Sequence, residues 1–128
     1  MSNIRLTLAY STLADRVHNI VLPAQREDQE ILILVQSPDG RVPSTVPQRS
    51  DVQIVGLAGT GVAKSRNAAI DHAQGQFLVF ADDDITFHLT ALDEITEHFA
   101  NCDCDLVLGQ AIDPTGALRK PYPTQPVW

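Results

Sequence analysis

The sequence predicts an α/β protein, a three-layer α/β/α arrangement around a mostly parallel sheet. Three observations predict it. Short apolar, strand-like runs recur at residues 4–10, 31–35, 51–55, 77–81 and 105–108, and most lack polar alternation, as strands covered on both faces do. Apolar positions at helical spacing lie between several of them, over 13–22, 62–73 and 89–101. The remaining joints carry turn chemistry: prolines, glycines and serines over 37–51, and three glycines over 56–61. The resulting order is β-α-β-β-α-β-α-β.

Each element has its own reason. Residues 4–10 alternate and then turn fully apolar, giving a first strand, and Ser11 and Thr12 can cap the element after it. Leu13, Val17, Ile20 and Val21 predict a helix that ends before Pro23. Ile31-Leu32-Ile33-Leu34-Val35 is a second strand, and a third starts at Asp51. The glycine loop feeds a helix expected to present Val62, Ala63, Ala69, Ile70 and Ala73 on one side and to stop at Gly75. Phe77-Leu78-Val79-Phe80-Ala81 comes next as a strand ending in Asp82-Asp83-Asp84. Leu92, Ile95 and Phe99 mark the inner face of a further helix running to about Asn101.

Bulk composition narrows the function classes. At 128 residues the chain is one domain or part of one. Nine basic against sixteen acidic residues give a net charge of −7, which argues against a nucleic-acid surface. No apolar run approaches the ~20 residues of a membrane span, and no signal-peptide pattern opens the chain, so a cytoplasmic, non-spanning protein is expected. Cys102 and Cys104, two apart on what reads as a strand, are expected to be two reduced thiols.

The acidic triplet is the chemical centre. It stands at the carboxyl end of a predicted strand, the edge where open α/β sheets bind ligands. Adjacent carboxylates repel, so three together are either a solvated loop or a cation site. As a cation site they would hold Mg²⁺ or Mn²⁺, hard ions that take oxygen ligands and share them with phosphates. Asp82-Asp83-Asp84-Ile85-Thr86 after an apolar strand also fits D-x-D-x-T, in which Asp82 would be the nucleophile of a haloacid-dehalogenase-like phosphatase. The glycine loop 56–61 has neither dinucleotide-fingerprint spacing nor a P-loop ending. It does lead into a helix start bearing Lys64 and Arg66, where free N–H groups and two cations suit a diphosphate.

Context separates these readings. Ser65-Arg66-Asn67 opens the helix sixteen residues ahead of the triplet, counting from Arg66 to Asp82. The stretch from Gly61 through Ala69-Ile70, then Ala73-Gln74-Gly75 with its apolar run, then Asp82-Asp83-Asp84, resembles the family 2 glycosyltransferases. The resemblance implies the nucleotide-sugar-binding portion of a GT-A fold over residues 1–112. A Pro-rich tail, 113–128, would lead toward an absent or reduced acceptor half, so the fold is expected to be incomplete. On that resemblance the triplet is a D-x-D motif: Asp84 binds the metal, with Asp82 sharing it and facing the donor ribose, and Asp83 helps locally. Arg66 and Lys64 would lie near the nucleotide diphosphate, and Ala9, Tyr10 and Ser11 would line the base pocket. The implied partners are a nucleotide-sugar donor and a carbohydrate or glycolipid acceptor, with no nucleic acid.

The chain departs from the family pattern at two strand ends. Leu8 and Ser11 stand where Pro and Asn are usual, and Gln36-Ser37-Pro38-Asp39 replaces the usual Asp-Asp-Gly-Ser. The carboxylate that reads base or ribose is therefore missing or shifted to Asp39, and no general base is assigned. A non-catalytic nucleotide-binding or assembly fragment is the alternative. An uncovered sheet edge would favour a homodimer.

Overall fold

The computed structural model describes residues 4–88 and 90–103. Four strands, β1 (Leu6–Leu13), β2 (Gln29–Ser37), β3 (Val52–Ala58) and β4 (Phe77–Asp82), form one sheet in the order β3-β2-β1-β4. Every pairing is parallel, so all four carboxyl ends lie along one edge. Helices α1 (Val62–His72) and α2 (Ala91–Asn101) complete the described elements. The α/β class and the parallel sheet are as the sequence predicts. The chain divides into two compact units, Met1–Leu92 and Asp93–Trp128, the first holding the sheet and α1. The expected strand at 105–108 and the tail at 113–128 lie outside the described residues.

β1 and β2 form the centre because they have a neighbour on both sides and apolar residues on both faces. Leu8, Tyr10, Ile31, Leu32, Ile33, Leu34 and Val35 are fully buried. On one face Ala9, Leu32 and Leu34 pack against Ala68 and Ala69 of α1, with Val55, Leu57, Ala73 and Leu78 around them. Small residues on the helix allow it to approach the sheet closely. The expected helix face holds at Ala69 and Ala73, which pack on the core, and is corrected at Val62 and Ile70, which are 61% and 60% exposed while Ser65 and Ala68 are buried.

The opposite face holds Tyr10, whose ring meets Phe87 edge-on at 6.5 Å between centroids. Its hydroxyl donates a long 3.5 Å hydrogen bond to the Val21 carbonyl. Burial pushes the phenol up to about 12, with the field of Arg49 opposing. A raised phenol stays protonated in the folded chain after the unfolded chain has ionised. Tyr10 therefore leaves stability unaffected below pH 10 and lowers it between pH 10 and 12, by about 1.4 kcal/mol per pH unit. Denaturant titrations across that range should show this loss in the parent. Tyr10→Phe should abolish it, and an equally steep loss in Tyr10→Phe would refute the assignment.

The helix predicted over 13–22 does not form. The chain stays extended through Leu13, because the Ala14 N–H donates to the Gln36 carbonyl at 3.0 Å and continues the ladder. It then turns and makes only a 3-10 turn, Val17–Asn19, with Val17 and Ile20 buried. The expectation for the cysteines is also corrected, since Cys102 is disulfide-bonded. Cys102 lies just past the end of α2 in a bend, so a geometric argument that assumes strand backbone does not apply. The sequence's other cysteine, Cys104, lies outside the described residues.

The return from α1 into β4 is fixed by a polar knot at the amino edge of the sheet. Thr7 donates through Oγ1 to Glu30 Oε2 at 2.6 Å, and the Gln74 N–H donates to the same oxygen at 2.6 Å. The Gly75 N–H donates to Thr7 Oγ1 at 2.8 Å. Gly75 thereby lies directly on the backbone of β1.

Candidate active site at the carboxyl edge

Strand order places the site. From β1 the chain moves outward through β2 to β3, then returns across the sheet through α1 and adds β4 on the other side of β1. The order reverses between β1 and β4, and a crevice at such a switch point is where open α/β sheets take ligands. Ser11 and Asp82 face each other in register across it.

Strand alternation as far as Asp82, and the turn that follows it, sort the acidic triplet. Leu78 packs toward α1 and Phe80 lies beneath Arg66, whose guanidinium carbon is 5.4 Å from the ring centroid. Asp82 continues that face and is exposed. Asp83 turns to the opposite face and is only 8% exposed. Arg16 grips both its oxygens, with Nε to Oδ2 at 3.0 Å and Nη2 to Oδ1 at 2.9 Å, and Thr12 Oγ1 donates to Oδ2 at 2.9 Å. The hydrogen bond to Asp83, then its charge, holds the Arg16 guanidinium still more firmly protonated, with Asp84 and Asp15 adding to the field. Asp84 is again exposed, in a turn closed by the Ile85 N–H donating to the Asp82 carbonyl at 3.3 Å.

The amino end of α1 is tied to the same edge. Ser11 Oγ and Ser65 Oγ share a 2.6 Å hydrogen bond, and Gln36 Nε2 donates to the Gly61 carbonyl at 2.9 Å. Gly61, with φ of 135°, starts the helix without a side-chain cap, which leaves first-turn N–H groups for an external acceptor.

Apart from the buried Asp83, the expected site residues separate into three groups. Ser11 and Asp82 lie in register on β1 and β4, Asp84 follows in the turn after β4, and Arg66 of α1 lies over Phe80 of β4. Asp39 lies after β2, where its carboxylate accepts from the Arg41 N–H at 3.1 Å and pairs with Arg41 Nε at 3.1 Å. Two strand spacings, about 10 Å, separate β2 from β4. Lys64 folds back to donate to the Ala58 carbonyl at the end of β3. The third group, Ala9 and Tyr10, has no exposed surface, so neither side chain lines a pocket. The grip of Arg16 on Asp83 is a contact that sequence reasoning misses. Nothing local to residue 16 points to a partner at 83.

Among the described residues no group of three His, Cys, Asp or Glu side chains is placed to hold a metal. The donor set that remains is the two exposed carboxylates of Asp82 and Asp84. That set fits Mg²⁺ or Mn²⁺, which are commonly bound through one or two carboxylates with water and substrate phosphates supplying the rest. Among the described residues no helix is long and apolar enough to cross a membrane.

The carboxyl edge of this parallel α/β sheet thus carries, at its switch point, two exposed carboxylates and the uncapped start of a helix. The chain belongs to the family 2 glycosyltransferases: the family model for glycosyl transferase family 2 matches residues 12–126. No curated protein and no solved structure matches it.

Proposed function

We propose that this chain binds a nucleotide-sugar donor at the β1–β4 crevice through Mn²⁺ or Mg²⁺ held by Asp82 and Asp84, for transfer of the sugar to a carbohydrate or glycolipid acceptor. The observation that carries the reading is the coincidence of the sheet's switch point with the two exposed carboxylates of the triplet. The family membership supports the reaction class. When bound, the metal would neutralise the nucleoside diphosphate leaving group. Asp82 would also face the donor ribose, and the first-turn N–H groups of α1 with Arg66 would take up phosphate oxygens. Ser11 would border the base. Asp39 and Lys64, on the β2–β3 side, would contact only a donor that extends along the edge. The expected setting is the cytoplasm, as a homodimer.

Calorimetric titration against a panel of nucleoside diphosphates, with and without Mn²⁺, tests the reading. One diphosphate should bind in a metal-dependent way. Absence of binding across the panel would overturn the donor site. Turnover of the corresponding sugar nucleotide then separates an enzyme from a binding fragment.

A further inference from the structure

We propose that Arg16 is a positioning residue for the metal-binding turn: by gripping Asp83 from the far face of the sheet it keeps Asp82 and Asp84 open to the crevice, and so sets metal affinity without touching the metal. The inference rests on the reading that Asp82 and Asp84 hold a divalent cation.

The geometry supports it in three steps. Asp82 is the last residue of β4 and Asp83 and Asp84 form the corner of the turn that follows it, so anchoring Asp83 on one side of that corner holds the residues on either side of it. Asp83 is anchored at both oxygens by a planar fork and at one of them again by Thr12. This is the bidentate geometry that an arginine can make and a lysine cannot. The anchored residue also sits inside the turn whose Ile85 N–H closes on the Asp82 carbonyl. Fixing Asp83 therefore fixes the backbone from which both candidate ligands project. A carboxylate released from that grip could rotate outward, compete for the cation and loosen the turn. Outer groups that orient metal ligands typically change affinity by about 10- to 100-fold when lost.

A second fork in the same molecule supplies the control. Arg49 binds Asp51 through both oxygens, at 2.6 and 2.7 Å, and reaches the Pro23 carbonyl at 2.9 Å, at the amino end of β3. It has the same chemistry at the opposite edge of the sheet. Arg16→Lys and Arg49→Lys therefore lose comparable forks, but only the first should alter the turn.

The experiment uses the full chain and Mn²⁺ alone, with the free ion read by electron paramagnetic resonance. Amide hydrogen exchange at Ile85 is measured in the absence of metal. Arg16→Lys should weaken Mn²⁺ binding by about 10- to 100-fold and speed Ile85 exchange relative to the β1 and β2 amides. Arg49→Lys should leave both readouts at parent values. Parent-like Mn²⁺ affinity and Ile85 exchange in Arg16→Lys would overturn the proposal, as would equal effects from both variants. If the parent itself binds no Mn²⁺, the metal reading of Asp82 and Asp84 fails. Whether Arg16 holds the turn is then decided by Ile85 exchange alone.

Discussion

Asp84→Ala is expected to leave stability within about 0.5 kcal/mol of the parent while weakening Mn²⁺-dependent nucleoside diphosphate binding at least about a hundredfold, ~2.7 kcal/mol. The two halves of that expectation come from different observations. Asp84 is exposed and makes no hydrogen bond or ion pair with a described residue, so its removal orphans nothing. The proposed cation has only Asp82 and Asp84 as protein ligands, and an ion held by two carboxylates cannot lose one cheaply. Paired urea melts and titrations measure both halves. Parent-like affinity in a folded Asp84→Ala protein would remove this residue from the metal site. Loss of stability together with affinity would show that Asp84 does packing work the fold does not reveal.

Gly75→Ala is expected to destabilise the protein by about 1–3 kcal/mol, the reverse of the usual effect of that substitution. Exchanging glycine for alanine at an unstrained site stabilises by about 0.4–1 kcal/mol, because the unfolded chain loses freedom. Here a Cβ would stand 2.6 Å from both the backbone N and Oγ1 of Thr7, and 2.8 Å from the Leu6 carbonyl carbon. Those atoms belong mostly to the backbone of β1, which is paired on both sides by β2 and β4, so they cannot step aside. The same methyl would push against the Gly75–Thr7–Glu30 hydrogen bonds that fix the entry to β4. A lower urea midpoint at unchanged slope is the expected record. A midpoint at or above the parent's would show that α1 and β4 can shift relative to β1.

How much of the fold is legible in the sequence depends on the strength of each local signal. The apolar runs 31–35 and 77–81 both read as buried strands, and both are strands within wider bounds, Gln29–Ser37 and Phe77–Asp82. Only the first is buried throughout, since of 77–81 Ala81 alone is buried. The region 13–22 misleads because its apolar spacing fits a helix, while an irregular crossover needs only two of those residues, Val17 and Ile20, to seal the sheet. A hydrogen bond from Ala14 to Gln36 and the contact of Thr12 with Asp83 extend β1 to Leu13, and spacing along the chain reports neither. The face of α1 is hidden for a related reason. Its packing surface is built from Ser65, Ala68 and Ala69, which carry too little hydrophobic contrast to outweigh Val62 and Ile70. At the candidate site, the triplet is visible because it is contiguous. The difference among its members is not, since burial of Asp83 depends on Arg16, which is remote in sequence.

The grip of Arg16 on Asp83 also has an arithmetic consequence. One guanidinium cancels one of three carboxylates, and the two left exposed carry the formal charge that a single divalent ion neutralises. Three open carboxylates would keep a surplus negative charge after the ion arrived and would repel an anionic diphosphate. Two leave none. In a chain whose net charge is −7, electroneutrality at this edge is what would allow a negatively charged ligand to approach against the field of the whole protein.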